Sequence, residues 1–213
     1  MPLRYREIAG ASLERLAALS DGIFAVAMTL LVFSFPLSNL PSGTGQADVE
    51  GLILSLGPQF ETFFISFVVV GAFWISHHEI FDRVVRYDRL FVWINFMFLL
   101  CIVFMPFPTA LVVRYSYWIS AAVYAASVAA AGTTLALLWQ YAAHQYRLID
   151  RTLSPHDIYV STVRSLVTPS VFLLSIPVAY LNPRFAPYVW LSSFAIRWAI
   201  HRRRERSAPD QSV

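Results

Sequence analysis

The chain has 213 residues, of which 57% are hydrophobic, 15% aromatic and only 14% charged. Soluble domains carry about 25% charged residues, so this composition excludes an ordinary soluble protein and indicates an integral membrane protein. The net charge of +3 comes with sixteen arginines and no lysine. Because these arginines lie in small groups between apolar segments, we interpret them as topology signals and expect no nucleic-acid partner.

Six apolar segments approach the roughly 20 helical residues that cross a hydrocarbon core. In chain order they are 16–37, 60–78, 90–112, 117–141, 163–181 and 186–201. The last is the shortest and contains Arg197, so it is expected to span only if that side chain snorkels. The predicted fold is all-α, a bundle of six transmembrane helices forming a single membrane domain, 1–206. A short disordered cytoplasmic tail is expected at 207–213.

The arginines also predict the orientation of the segments. Only Arg114 and Arg184 lie in the loops of one side, and the other fourteen lie on the opposite side or at its helix ends. Arginine-rich loops stay in the cytoplasm, so both termini are expected there and the protein is expected in the cell (inner) membrane. A short apolar stretch in the first outer loop, 49–56, predicts a small interfacial helix.

Polar side chains from three segments are predicted to meet near the cytoplasmic surface. Ser20 and Asp21 lie about one turn inside the first segment, and the second segment reaches the same depth at FWISHHEIF, 73–81. Within that stretch Trp74 and His77 share a helix face, and Asn95 enters the layer from the third segment. Arg15 and Asp21 lie about 120° apart on the helix, so each is expected to pair across helices, with His77 as the first candidate partner.

Simpler interpretations stand beside this one. Arg15 at a helix end is also typical of an interfacial anchor, whereas the side chain of Asp21 is too short to snorkel far. The adjacent His77 and His78 point about 100° apart on a helix, and no HExxH pattern accompanies them, so no metal site is expected. The basic stretch HRRRER near the end could bind anionic lipid or act as a stop-transfer anchor.

Two of these stretches resemble one known family. RLAALSDGIFAVAMTLLVFSF, 15–35, is similar to the first-helix signature of the TMEM175 potassium channels, in which an arginine precedes Phe-Ser-Asp and then small and apolar residues lead to Thr-Leu-Leu. The pair Trp74 and His77 is similar to the Trp-x-x-His motif of that family's second helix. The six-helix layout extends the resemblance over essentially the whole chain. Leu19 stands where the family has Phe, and Val26 stands where relatives carry a larger Ile or Leu.

The resemblance implies a pore lined by the first helices, and a single copy of the Ser-Asp motif implies a homotetramer. The helical period then gives the expected pore-lining stripe: Gly22, Val26, Thr29, Leu30 and Phe33. A ring of Val26 would be an apolar constriction, with Thr29 one turn further out. The polar layer would fix the base of the pore helix without touching the ion; it comprises Arg15, Ser20, Asp21, Trp74, His77 and Asn95. Ordinary helix packing stays open as an alternative for the stripe, because several of its residues are small.

The sequence contains no TVGYG-like filter, so selectivity would depend on an apolar ring at which ions shed water, a step easier for potassium than for sodium. The predicted function is a potassium-selective channel and not an enzyme. It needs no cofactor besides permeant K+, and its partners are its own copies, the lipid bilayer and monovalent cations. A proton-permeable cation channel of the same fold and a secondary transporter remain as alternatives. An enzyme built on Ser20, Asp21 and His77 is not expected.

Overall fold

The computed structural model describes residues 3–35, 45–182 and 185–207. Within them the chain folds into helices joined by short connections: α1 (Leu3–Leu30), α2 (Gln46–Ser55), α3 (Gly57–Phe81), α4 (Arg89–Phe104), α5 (Pro106–Arg114), α6 (Trp118–Ala143), α7 (Pro155–Leu181) and α8 (Ala186–Ser207). Short 3-10 turns extend α1 (Leu31–Ser34) and α6 (His144–Tyr146). Apart from Ser207, which ends α8, the predicted tail lies outside the described residues.

The all-α prediction is confirmed, and within the described residues five stretches are long and apolar enough to cross a membrane. They are Leu13–Ser34, Gln59–Phe81, Arg89–Arg114, Trp118–Tyr146 and Pro155–Leu181. The sixth predicted segment does form a helix, α8, from residue 186. Among the described residues it is not one of the apolar spans, because five arginines follow from Arg197 onward.

The starts of α4 and α7 follow local side-chain chemistry. The carboxylate of Asp88 accepts a hydrogen bond from the Phe91 amide at 2.9 Å and caps α4. The hydroxyl of Ser154 accepts from the Asp157 amide at 3.1 Å, and Pro155 follows in the first turn of α7. Both are typical helix starts. This cap places the start of α7 at 155, earlier than the predicted 163. The first helix, α1, also starts earlier than predicted, at 3 instead of 16.

The third predicted segment is interrupted at a proline. Pro106 has no amide hydrogen for the helix ladder, and the chain breaks at Met105 into α4 and α5. By contrast, Pro169 and Pro177 lie inside α7, which continues past both of them. Prolines within apolar helices are tolerated where neighbouring helices cover the freed backbone groups.

The most buried helix is α6, which packs between α4 and α7. Small side chains make up much of its buried surface, so neighbouring backbones approach closely. At Gly132 an added Cβ would lie 2.8 Å from Cδ of Pro169 on α7. The hydrogen side chain at this position therefore permits the α6–α7 contact.

The first helix packs on one side only, against α4, α3 and α5. The predicted small helix at 49–56 appears as α2, directly before α3. This arrangement leaves the other side of α1 without cover from the described parts of the chain.

Candidate ion pathway along the first helix

The first helix has one buried face and one exposed face. Ser20, Phe24, Ala27, Leu31 and Ser34 are buried against the rest of the protein, at the spacing of a single helix face. All of the predicted lining residues are exposed: Gly22, Val26, Thr29, Leu30 and Phe33. The exposed fraction is 57% for Val26 and 79% for Phe33. The described part of the chain does not cover this face, which is therefore open to lipid or to another protein copy.

Small and polar groups interrupt the apolar character of the exposed face. An added Cβ at Gly22 would meet no atom within 4 Å. The Thr29 hydroxyl donates its hydrogen to the Val26 carbonyl oxygen at 2.8 Å. Since that hydrogen is used within the helix, the hydroxyl oxygen is left to act as an acceptor on the exposed face, and an oxygen acceptor is the group that a cation prefers.

A buried chain of hydrogen bonds fixes the base of α1. The His77 Nε2–H donates to Oδ1 of Asn95 at 2.9 Å, and Nδ2 of Asn95 donates to the Ser20 hydroxyl oxygen at 3.2 Å. Ser20 in turn donates to the carbonyl oxygen of Leu16 at 2.9 Å. Ser20 and Asn95 are fully buried and His77 is nearly so. These hydrogen bonds link α3, α4 and α1. They also give each buried polar side chain a partner, which such groups need once they are removed from water.

Aromatic rings enclose His77. Its ring stacks on Phe98 with centroids 5.5 Å apart and lies 4.3 Å from the ring of Phe81 and 5.8 Å from that of Phe24. These contacts hold the imidazole in one orientation, so its hydrogen bond to Asn95 has a fixed direction. His77 is only 2% exposed, so its ring nitrogens have little access to solvent.

Asp21 pairs with Trp74, and the expected pair with His77 is not formed. The indole Nε1–H of Trp74 donates to Oδ1 of Asp21 at 2.8 Å, and Trp74 stacks on His78 with centroids 5.6 Å apart. Asp21 is exposed and Trp74 is 39% exposed. The long indole reaches the carboxylate from the rim of the buried layer, whereas His77 turns inward to Asn95.

Arg15 takes no part in this network. It is exposed, and the described part of the chain gives it no ion pair. The polar layer therefore consists of two separate contacts between α1 and its neighbours: the buried Ser20–Asn95–His77 chain and the exposed Asp21–Trp74 bond. Across the described residues, no three His, Cys, Asp or Glu side chains come together as a metal site would require.

Sequence reasoning missed a second polar cluster, which joins two loops on the arginine-rich side. The Tyr141 hydroxyl donates to Oδ2 of Asp88 at 2.6 Å, and Arg147 lies 3.3 Å from the same oxygen. Burial by itself raises the pKa of Asp88. The hydrogen bonds from Tyr141 and Phe91 and the charge of Arg147 outweigh that effect and lower the pKa below its usual value. The helix cap at Asp88 was the one signal available in the sequence.

The chain is similar to known proteins over the helices described above. The family model described as "Endosomal/lysosomal potassium channel TMEM175" matches residues 15–106, which contain α1 from Arg15 onward, the polar layer and α4. A potassium channel from Chamaesiphon minutus is 32% identical over 184 residues, covering 84% of this chain and 86% of that protein.

One solved structure and one vertebrate protein extend the comparison. The crystal structure of a lysosomal potassium-selective channel TMEM175 homologue from Chamaesiphon minutus matches with a TM-score of 0.72 and 28% identity, covering 91% of this chain and 98% of that one. The endosomal/lysosomal proton channel TMEM175 of Danio rerio is 39% identical over 84 residues, which is 37% of this chain and 16% of that much longer protein.

Proposed function

The chain belongs to the TMEM175 family, and from that membership we propose that it is a homotetrameric, potassium-selective channel of the cell membrane. In this proposal four copies of α1 surround the ion path. The observation that carries it is the exposed face of α1, which holds Gly22, Val26 and Thr29 on the helix that the family model matches. As in the proteins it resembles, the activity is transport and not catalysis.

The composition of the exposed face supports a pore rather than a lipid contact. A helix facing lipid needs only apolar side chains, whereas this face includes a glycine and a threonine whose oxygen accepts hydrogen bonds or cations. Small residues also let helices approach one another closely. Four such faces around one axis would place Val26 and Thr29 next to the path, with Phe33 beyond them.

Selectivity in this proposal arises at Val26 and Thr29. A ring of four valine side chains offers no ligand, so an ion that passes it loses part of its hydration shell. Potassium holds its water less tightly than sodium does and therefore crosses at lower cost. The ring of Thr29 oxygens, one turn away, would replace some of the lost water ligands.

The buried hydrogen-bond chain would set the rotation of α1 about its own axis. Ser20 and Phe24 lie on the face opposite Val26. A helix anchored through Ser20 to Asn95 therefore presents Val26 and Thr29 away from its own protomer, toward the other copies. In this role the network positions the pore helix, and the ion does not contact it.

We also propose six spans with both termini in the cytoplasm. The arginine distribution supports the orientation. For α8 to act as the sixth span, Arg197 must be accommodated at depth. Its guanidinium donates to the hydroxyl oxygens of Ser76 at 2.5 Å and Thr168 at 3.3 Å, which supplies that accommodation.

The test is flux through purified protein in liposomes, combined with thiol labelling. Cys101 is the only cysteine, so a Cys101→Ser background allows single cysteines to be placed at will. Modifying Val26→Cys with a charged thiol reagent should block potassium flux. The matched control is Val68→Cys on α3, a valine of similar exposure, whose modification should leave the flux unchanged. Unblocked flux after complete labelling of Val26→Cys would refute the pore assignment.

A proton-permeable cation channel is the second candidate, because the vertebrate relatives are named proton channels. The same liposomes, loaded with a pH-sensitive dye, distinguish the two. Acidification that follows a proton gradient without potassium would support proton permeation. Potassium flux with no pH change would support the potassium channel.

A further inference from the structure

A large cavity lies at the end of the bundle opposite the arginine-rich loops. Its volume is about 620 Å³, within the range of about 300–1,000 Å³ that is typical of small-molecule sites. The walls come from the starts of α3, α6 and α8 and from the end of α5. No described residue of α1 lines it. The cavity therefore has room for a small organic molecule, and it is separate from the proposed ion path.

The wall of the cavity changes from polar to apolar with depth. Glu61 lies near the start of α3, and Tyr117 directly precedes α6. Ile65 and Ala121 follow four residues later on the same two helices, so each lies one turn further into the bundle. A molecule that fits this gradient has a polar end at the mouth and an apolar end inside.

A fixed aromatic ring forms part of the deeper wall. Trp190 lines the cavity one turn into α8 and is 1% exposed. Its ring lies 4.6 Å from that of Tyr124 and 5.7 Å from that of Phe172, centroid to centroid. The indole Nε1–H donates to the Ser175 hydroxyl oxygen at 2.9 Å. Because that hydrogen is already used, Trp190 offers a ligand only apolar surface.

The charge at the mouth favours a cation. Among the described residues that line the cavity, Glu61 is the charged one. Its side chain is exposed, and no ion pair of the described chain includes it. The guanidinium of Arg114 lies 5.9 Å from the ring centroid of Tyr115, another lining residue. A cation thus already rests on one tyrosine of this cavity, and a concave wall that carries a carboxylate attracts positive charge.

Two more tyrosines favour an organic cation over an inorganic one. Tyr117 and Tyr188 both line the cavity, and each is 66% exposed. Aromatic rings attract ammonium groups and are the usual surroundings of quaternary ammonium ligands. A hydrated inorganic ion gains nothing from the apolar deeper wall, whereas an organic ammonium ion with an apolar body contacts both levels.

We propose that this cavity binds an amphiphilic organic ammonium ion. The positive head lies beside Glu61 and the tyrosines, and the apolar body extends toward Ile65, Ala121 and Trp190. Soluble amines and the headgroup of phosphatidylethanolamine share this chemistry, and the experiment distinguishes the two sources. The site does not depend on the pore assignment.

The experiment measures binding of benzyltrimethylammonium to the full-length protein in detergent by equilibrium dialysis, with empty micelles as the blank and benzyl alcohol as the neutral comparison. Glu61→Gln should weaken binding of the cation about threefold, the size expected for one exposed charge pair. The matched control is Glu14→Gln, an exposed glutamate on α1 outside the cavity, which should bind as the parent does. Equal affinity in the parent and Glu61→Gln, or benzyl alcohol bound as tightly as the cation, would overturn the proposal.

A second variant tests the apolar end of the site. Val112 is half-buried on α5 and lines the cavity, so Val112→Phe narrows it and leaves Glu61 in place. This variant should lose affinity for benzyltrimethylammonium but not for tetramethylammonium, which has no ring to accommodate. The same loss for both ions would contradict the proposed orientation.

Phospholipid added to the same dialysis identifies the source of the ammonium group. Displacement of benzyltrimethylammonium by phosphatidylethanolamine assigns the site to the lipid, and its retention assigns the site to a soluble amine. Phosphatidylglycerol carries no amine and should displace nothing. Displacement by phosphatidylglycerol would overturn the proposal, because the site would then select apolar chains and not the ammonium head.

Discussion

Replacing Asn95 with alanine should destabilise this protein more than any change at Asp21. Asn95 is fully buried and makes two hydrogen bonds, one accepted from His77 and one donated to Ser20. The substitution leaves the Nε2–H of His77 without a partner inside an aromatic shell, and an unsatisfied buried group costs about 1–3 kcal/mol. Ser20 keeps its bond to Leu16, so it adds little to the loss.

The corresponding cost at Asp21 is smaller. Its one hydrogen bond, from Trp74, lies at an exposed position, and hydrogen bonds measured within membrane proteins average about 0.6 kcal/mol. Allowing for the space left by the missing amide, we expect about 2–3 kcal/mol for Asn95→Ala and under about 1 kcal/mol for Asp21→Ala.

The assay is reversible unfolding of the purified protein in mixed micelles, followed by circular dichroism. Asp21→Asn is the matched control, because its amide oxygen still accepts from Trp74, and its stability should stay close to that of the parent. A double-mutant cycle of Asn95→Ala with His77→Ala isolates their shared hydrogen bond. The reasoning is wrong if Asp21→Ala is the more destabilised variant, or if the cycle shows no coupling between Asn95 and His77.

Three other outcomes are expected. In bi-ionic recordings Val26→Asn should raise flux and reduce the preference for potassium over sodium, and Thr29→Val should reduce that preference with the fold intact; unchanged reversal potentials for both would contradict a pore at these residues. Gly132→Ala should cost about 1–3 kcal/mol by overpacking against Pro169, as measured by thermal unfolding, whereas Gly71→Ala, whose nearest neighbour would be 3.8 Å away, should cost little. Because the pKa of Asp88 is lowered in the folded protein, its stabilising contribution is present above the usual carboxyl pKa and is lost as pH falls through the lower folded value. Asp88→Asn should therefore flatten the acid limb of a stability–pH profile, and an unaltered limb would exclude this role.

Much of the architecture could be predicted from local patterns. Apolar segments of membrane length lie where five spans are found, and the α1 stripe with Val26 and Thr29 falls on one exposed face, because the 3.6-residue period alone determines which residues share a face. Errors at helix starts have local causes. The polar first turns of α7 read as loop, although Ser154 and Pro155 form a typical cap.

What the sequence determined is therefore the class of protein, five apolar spans and the faces of α1, since hydropathy and helical period act within one segment. The tertiary structure decided which polar groups meet. Asp21 takes Trp74 instead of His77, and Asn95 joins His77 to Ser20, because partners depend on the relative depth and rotation of separate helices. The same holds for Arg164 and Arg197, which lie in separate helices and share one cleft. No pattern within a single segment encodes the relative depth and rotation of two helices. The packing of side chains between the helices sets both.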